Sequence, residues 1–406
     1  MNTFRRNVPL LAVSQALMMS NMGLMLTGMA LVGLELAPDK AYATLPIAVI
    51  FISVMLSSVP AAMLMERIGR KRAFMFSTLF GIAGGSIATI AIFNQNFWLF
   101  TCSGILIGMF NAFGNYFRFA AADIVEPDLK SKAISMVLLG GVVAAVVGPN
   151  LANLTRESVP DVMFAGNYIS VIVVYLLAFV VLGFLKLPHR KISQQSQDKN
   201  KARPLFIIAT QPKFIVALLC AMLGYGVMSF IMTATPLAMH DHNHNFADTS
   251  FVISWHVLGM FAPSFVTGHL IHRFGVLKIM LIGALLGLGC VAANLLGNSV
   301  THYWIGLTLL GVSWNFLFIG GTSLLTETYR PEERSKAQAL NDFVIFTTVA
   351  IASLTAGALQ HNFGWQIVNI GVIPLIGIIL ISIFWLGLKQ RREEEMPAEI
   401  AEESIS

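Results

Sequence analysis

Two pairs of side chains in the second half of the chain combine soft metal-ligand chemistry with helical spacing. Met228 and Met232 are four residues apart in one apolar stretch, and His256 and Met260 are four apart in the next. Residues at this spacing lie one turn apart on the same face of a helix. Thioether sulfur favours Cu(I), and imidazole also binds copper. Three thioethers and one imidazole on adjacent helices therefore predict a copper-binding site.

The same side chains also have a packing interpretation. The chain holds 20 methionines, and methionine fills gaps in apolar cores well. The four-residue spacing recurs twice in the first apolar stretch, at Met18 and Met22 and at Met25 and Met29. His256 is the stronger indication, because a histidine in the middle of an apolar helix needs a polar partner. Spacing alone leaves both interpretations open.

Alternating histidines stand between these two stretches, at His240, His242 and His244. Histidine-rich tracts can collect metal ions, so this loop is a candidate capture site. The alternative is a polar loop with incidental histidines. An organic solute would need aromatic stacking partners instead, and four residues near the pairs could supply them: Tyr225, Phe230, Trp255 and Trp314.

Composition indicates that lipid is the solvent of most of this chain. Hydrophobic residues make up 56% of 406 and charged residues 12%, against about 25% charged in soluble domains. The net charge of +5 does not indicate nucleic acid, because the basic residues recur in short clusters between apolar runs. The expected partner of the chain is therefore the lipid bilayer.

Twelve apolar runs are long enough to cross a bilayer as helices of about 20 residues. They lie near 8–34, 44–64, 73–93, 97–120, 132–152, 165–186, 213–239, 248–270, 276–297, 302–326, 336–359 and 366–388. The first is too long for the apolar region of a signal peptide. This spacing predicts four parts: a six-helix bundle in 1–186, a flexible linker in 187–212, a second bundle in 213–388 and a charged tail in 389–406.

Basic residues distinguish the two sides of the membrane. Short loops that stay in the cytoplasm carry excess Lys and Arg. If the N-terminus is inside, the inner loops hold nearly all the basic loop residues, and the outer loops hold only Lys40 and Arg156. We therefore expect a multi-pass protein of the bacterial inner membrane with both termini in the cytoplasm.

The chain repeats itself. The segment Pro127 to Ala133 resembles Pro331 to Ala337 at an offset of 204 residues, and a second motif recurs between Gly69 and Gly275 at an offset of 206. Each copy follows the equivalent span of its half. This pattern indicates a duplicated six-helix unit, and such repeats enclose a substrate site near the middle of the bilayer.

The loops after the second and eighth spans carry candidate gating residues. Gly69 and Gly275 suit a short turn between helices, because glycine tolerates backbone angles that other residues do not. The charged residues could link helix ends and exchange partners between two states. Asp342, near the start of the eleventh span, is a candidate partner for Arg70. The alternative is a charge cluster that only fixes topology. The charged candidates in the loops are Glu66, Arg67, Arg70 and Arg273.

These loop residues resemble the signature of the major facilitator superfamily, Gly-x-x-x-Asp-Arg-x-Gly-Arg-Lys. Ala62 and Glu66 depart from it in the first copy, and His272 takes the acidic position in the second. The resemblance implies an all-α membrane protein with twelve transmembrane helices in two pseudo-symmetric six-helix bundles. It also implies a role for Arg118 in coupling or substrate binding. The alternative for Arg118 is a side chain that reaches the inner membrane surface.

The two side-chain pairs are similar to those of the CcoA-like copper importers, a branch of this superfamily. That resemblance implies copper ligation by Met228, Met232, His256 and Met260. The same branch includes riboflavin transporters with much the same motifs. The leading expectation is copper import by alternating access. The alternatives are transport of riboflavin or another small organic solute, or drug efflux.

We expect no enzyme activity and no cofactor, because neither a nucleophile–base set nor a cofactor motif stands out in the sequence. Copper would be a substrate. A monomer is expected.

Overall fold

Helices make up nearly all of the chain that the computed structural model describes, which is residues 3–126, 130–187 and 203–403; no strand occurs in those ranges. Runs of apolar residues form the helices because a backbone in lipid must satisfy its own hydrogen bonds. The first half contains α1 (Thr3–Leu36), α2 (Leu45–Ile68), α3 (Arg70–Phe93), α4 (Phe97–Gly114), α5 (Phe117–Asp123), α6 (Lys130–Thr155) and α7 (Ala165–Gly183).

The second half begins with a short helix, α8 (Leu205–Ala209), which the sequence analysis did not predict. It continues with α9 (Pro212–Asp241), α10 (Phe246–Phe261), α11 (Ser264–Phe274), α12 (Val276–Leu296), α13 (Val300–Thr326), α14 (Arg334–Gly371) and α15 (Ile373–Glu403). Two short 3-10 helices lie at Lys40–Tyr42 and Pro331–Glu333.

The described helices make twelve membrane spans, as predicted. Ten stretches are long and apolar enough to cross a bilayer, and the bent pair α10 and α11 adds one. One stretch runs for 58 residues from Lys336 and must hold two spans, since it would measure roughly 87 Å as one rod. The chain turns back at Gly364, where φ is 75°.

Contacts with α9 show this reversal. Gln360, before the turn, donates to Asp241 at the end of α9, while Ser382, after the turn, lies 3.8 Å from the Cys220 sulfur, far back along α9. The helix α15 continues to Glu403, so the predicted charged tail 389–406 is helical as far as it is described.

The predicted duplication appears as the same helix crossing in both halves. In the first half α4 crosses α2 at Gly108, where an added Cβ would lie 2.5 Å from the carbonyl oxygen of Ile50. In the second half α13 crosses α10 at Gly311, where it would lie 2.3 Å from the carbonyl oxygen of His256. Small residues allow such close approach of membrane helices.

The two predicted glycine turns have almost identical backbones. Gly69 has φ 85° and ψ 149°, and Gly275 has φ 89° and ψ 147°. This region of conformational space is open to glycine and disfavoured for residues with a Cβ. The equivalent loops of the two halves therefore turn in the same way.

Two spans predicted as continuous are broken. The fourth, predicted as 97–120, is divided into α4 and α5 around Asn115, and the eighth, predicted as 248–270, bends by 42° between α10 and α11. Pro263 lies in the second break and has no backbone N–H to continue the helix. The side-chain N–H of Asn315 on α13 donates to the Met260 carbonyl at 2.6 Å and so gives it a hydrogen-bond partner at the bend.

The end of the linker is attached to the second half. Residues 188–202 lie outside the described part, so the predicted flexibility of 187–212 stays a prediction for them. The Arg203 guanidinium bonds both carboxylate oxygens of Glu333, at 2.8 and 2.7 Å, and its backbone N–H donates to the same carboxylate at 2.8 Å. These hydrogen bonds hold the pKa of the buried Glu333 carboxyl well below its ordinary value.

Candidate functional site

A cavity of about 160 Å³ lies between the two halves, near the middle of the bundle. Helices α1, α2 and α4 line it from the first half, and α9, α10, α13 and α14 line it from the second. A site at the interface of two repeats is where duplicated transporters bind their substrates. The cavity is therefore the candidate substrate site.

Thioethers form a large part of its lining. Of the four predicted copper ligands, Met228, Met232 and Met260 line the cavity, so the helical spacing brings both members of the first pair to it but only one of the second. Three methionines of α1 face them from the first half: Met18, Met19 and Met22. The sequence showed the Met18 and Met22 pair but gave no reason to place it opposite α9.

The fourth predicted ligand, His256, lies elsewhere. Its side chain is fully buried, and its Nδ1 pairs with the Leu307 carbonyl on α13 at 2.8 Å. This contact supplies a polar partner for Nδ1, whereas Nε2 is buried with no hydrogen-bond partner among the described residues. The described residues that line the cavity do not include His256. The structure therefore brings together three of the four predicted ligands.

Two histidines of the predicted capture loop form hydrogen bonds at or just before the start of α13, and none of the three is among the described residues that line the cavity. His242 Nδ1 lies 2.8 Å from the Tyr303 hydroxyl, and His244 Nε2 lies 2.6 Å from the Asn298 carbonyl oxygen. His240 is exposed at the end of α9. Within the described residues, no group of three or more His, Cys, Asp or Glu side chains is arranged to hold a metal ion.

Aromatic rings form one wall of the cavity, mainly from the second half. Trp314 is its centre: its ring lies 5.3 Å from that of Tyr225 and 6.1 Å from that of Phe261. Phe346 and Phe51 complete the aromatic lining. Of the four aromatic residues predicted as stacking partners, Tyr225 and Trp314 line the cavity, whereas Trp255 packs against Trp304 at 5.6 Å. Phe230 is not among the described lining residues.

The polar part of the lining is small and uncharged. Asn111, Asn115 and Ser229 supply it together with the polar groups of Tyr225 and Trp314, and none of the described lining residues carries a charge. Asn111 donates to the Met22 sulfur at 3.0 Å, and the Ser229 hydroxyl lies 2.8 Å from that of Ser353. An apolar cavity with a few placed polar groups is typical of a small-molecule site.

The predicted ion pair between Arg70 and Asp342 is absent from this structure. Arg70 instead pairs at 2.6 Å with Asp123, which ends α5 in the same half. Asp342 lies near enough to Arg118 for its charge to act on that guanidinium. The sequence does not show that α5 brings a carboxylate beside the start of α3, and the pairing of Arg70 with Asp342 stays a prediction for another conformation.

The other predicted gating residues make few polar contacts. Glu66 and Arg67 are exposed at the end of α2 and form no ion pair within the described part of the chain. The Arg273 guanidinium lies 5.3 Å above the Phe274 ring. Their gating role stays a prediction.

The two halves touch at the end of the bundle opposite the linker, which we call the far end. There the Thr44 hydroxyl accepts the backbone N–H of Gly357 at 3.1 Å, and the rings of Phe164 and Phe246 lie 5.5 Å apart. Within the described residues, no hydrogen bond joins the halves at the linker end. The structure therefore shows a conformation that is closed at the far end.

Twelve apolar helices in two related halves, with a binding cavity between them, define a membrane transporter. The chain belongs to the Major Facilitator Superfamily, whose family model matches residues 11–237 and 217–404. This finding confirms the fold and the family that the loop motifs predicted.

Known relatives agree with this assignment. The chain is 42% identical to the riboflavin transporter RfnT of Brucella anthropi over 388 residues, which cover 95% of this chain and 97% of the relative. It is 28% identical to the MFS-type transporter YdeG of Bacillus subtilis over 94% of this chain and 91% of the relative. The human organic anion transporter MFSD10 has the same fold, with a TM-score of 0.66 at 14% identity, over 94% of this chain and 99% of that one.

Proposed function

We propose that this protein carries riboflavin across the membrane by alternating access, with uptake as the direction. The observation that carries the proposal is 42% identity, over nearly the full length of both chains, to a protein named as a riboflavin transporter. Riboflavin was the alternative in the sequence analysis, and the relatives support it better than copper.

The chemistry of the cavity supports a flat aromatic solute. The isoalloxazine ring of riboflavin can stack on aromatic side chains, and such contacts contribute about 0.5–1.5 kcal/mol each beyond burial. Tyr225 and Phe346 offer these surfaces, whereas one face of the Trp314 ring is stacked on Phe318 at 4.9 Å. Thioethers also make favourable contacts with aromatic rings. The six methionines of the lining thus have a role that does not need a metal.

Alternating access requires two arrangements of the halves, and the contacts described above belong to one of them. The polar and aromatic contacts between the halves lie at the far end and near the middle, where Thr347 contacts the Met55 sulfur at 3.2 Å. With the predicted orientation, this conformation would face the cytoplasm. Opening the far end would break the Thr44 contact and expose the cavity to the other side.

The test is uptake of labelled riboflavin, and rescue of growth, in a riboflavin auxotroph that lacks its own transporter. Wild-type protein should restore both. Trp314→Ala should lower uptake about tenfold, because it removes the central ring of the aromatic wall. Trp98, which is 58% exposed, provides the matched control, and Trp98→Ala should leave uptake unchanged. No uptake by normally expressed wild-type protein would contradict the proposal.

Copper uptake is the second candidate, and the methionine-rich lining is the observation that favours it. The position of His256 outside the lining weighs against it. Copper accumulation can be measured in the same cells with Met232→Ala and His256→Ala. Under the riboflavin proposal both variants accumulate as much copper as cells without the protein. Copper accumulation that wild-type protein raises and both variants abolish would favour the metal instead.

A further inference from the structure

Two residues that line the cavity from opposite halves each carry a buried polar atom with no hydrogen-bond partner among the described residues. One is Oδ1 of Asn111, an acceptor, on α4, and the other is Nε1 of Trp314, a donor, on α13. The two residues are only 5% and 7% exposed. Buried polar groups are nearly always paired, and an unpaired one costs about 1–3 kcal/mol. A ligand with a matching donor and acceptor would satisfy both.

The equivalent asparagine in the second half has a structural role. Asn315 stands 204 residues after Asn111, the offset of the sequence repeat. Its side-chain NH2 donates to the Met260 carbonyl and to the Ser264 hydroxyl, and its oxygen accepts from Thr267. All three hydrogen bonds are with residues of the bent span. Asn111 bonds only the Met22 sulfur and leaves its oxygen free. The two copies have therefore taken different roles.

Charge is the second property of the lining. No described lining residue is ionisable to a charged form at neutral pH. Arg118 and Asp342 lie outside the lining, have opposite signs and act on each other, and Arg118 also acts on Tyr225 of the lining. Burying an ionised group without a counter-charge is expensive. A phosphate-bearing ligand would find no counter-charge among the described lining residues.

We propose that Asn111 and Trp314 bind the polar edge of a flat, uncharged ring, and that the site therefore selects free riboflavin over its phosphate ester. The inference rests on the proposed function. The imide edge of the isoalloxazine ring carries one N–H between two carbonyl groups. Asn111 Oδ1 accepts from that N–H, and Trp314 Nε1 donates to a carbonyl oxygen.

Competition against labelled riboflavin uptake tests the selectivity. Lumiflavin keeps the ring but lacks the ribityl chain. It should compete with an affinity within about tenfold of that of riboflavin, a difference that corresponds to about one hydrogen bond. Riboflavin 5′-phosphate should compete at least a hundredfold more weakly. Equal competition by the phosphate ester would overturn the selectivity, and failure of lumiflavin to compete would overturn recognition through the ring.

A methylated analogue tests the contact with Asn111. Lumiflavin methylated at the imide nitrogen cannot donate, so wild-type protein should bind it about tenfold more weakly than lumiflavin, one hydrogen-bond equivalent. Asn111→Leu removes the acceptor and should bind both analogues equally. Trp314→Phe keeps an aromatic ring without the N–H. This variant should bind both analogues more weakly than wild-type protein does, but it should still prefer lumiflavin over its methylated form.

Asn150 provides the matched control. Its side chain is exposed and bonds only its own helix, so Asn150→Leu should keep the wild-type discrimination. Expression and melting temperature show that each variant folds. If wild-type protein takes up riboflavin and Asn111→Leu still binds lumiflavin more tightly than its methylated form, this inference fails and the proposed function stands. If wild-type protein takes up no riboflavin, both fail.

Discussion

Glu333 is a carboxylate with no exposed surface that keeps its charge through its neighbours. Arg203 and the backbone N–H of Arg330 donate to it, and Lys336 bonds the Arg203 carbonyl. Breaking a buried pair by removing one partner costs more than the pair contributes, because the other charge stays behind. This residue fixes where the linker joins the second half.

Neutralising Glu333 should therefore destabilise the protein. Glu333→Gln should lower the melting temperature in detergent by several degrees. Glu327 at the same end pairs with Lys213 at 2.7 Å, but both side chains are more than two-fifths exposed. Exposed pairs contribute little, so Glu327→Gln should change the melting temperature by about one degree or less. Equal effects of the two variants would contradict this account.

The lowered pKa of Glu333 gives that difference a pH dependence. A carboxyl whose folded pKa lies below its unfolded value stabilises the fold above the unfolded pKa, here near 4.5, and loses that contribution as the pH falls further. The gap in melting temperature between wild type and Glu333→Gln should stay constant from pH 8 to about 5.5. It should narrow below 4.5. A gap that closes near neutral pH would show that another group is responsible.

At the scale of helices, close crossings depend on glycine. Gly108 and Gly311 bring equivalent helices together in the two halves, and neither leaves room for a methyl group. Gly108→Ala and Gly311→Ala should each cost about 1–3 kcal/mol in stability, the usual range for overpacking. Gly268 has no atom within 4 Å of an added Cβ, so Gly268→Ala is the control and should be neutral. Thermal unfolding in detergent measures all three, and a stable Gly311→Ala would contradict the crossing.

The bend between α10 and α11 depends on Asn315. Asn315→Ala would leave the Met260 carbonyl without a partner in the apolar interior, at a cost of about 1–3 kcal/mol. Asn362 is exposed and bonds only a carbonyl of its own helix, so Asn362→Ala should be neutral. Unfolding of both variants in detergent gives the comparison. An unchanged melting temperature for Asn315→Ala would show that another group satisfies the bend.

The sequence predicted the features that depend on hydrophobic length and repetition. Twelve spans follow from apolar runs of sufficient length, and the glycine turns follow from the repeat of Gly69 at Gly275. The break at Asn115 was missed because hydropathy is the same for a straight and a broken helix. The Arg70 partner and the turned-away ring of His256 were missed because each depends on which neighbouring helix lies beside it.

Under the proposed alternating access, the two halves must separate at the far end. An added Cβ at Gly357 would lie 3.2 Å from the Thr44 Cβ, slightly less than the roughly 3.5–4.5 Å of disulfides, so a small outward shift would let two cysteines bond. Oxidation of the double variant Thr44→Cys and Gly357→Cys should lock this end and stop riboflavin uptake, and a reductant should restore it. Thr44→Cys alone should be insensitive to oxidant. Full uptake by the oxidised, cross-linked protein would show that this end need not open.

The wall of the cavity is shared by both halves, and this division has a pharmacological consequence. A compound that adheres only to the tryptophan side would travel with the second bundle and leave the rocking motion free. A compound long enough to bind α1 and α13 at the same time would prevent the two halves from moving relative to each other. Either compound would exclude riboflavin while it occupies the cavity, but only one that bridges the two halves would also hold them in this conformation.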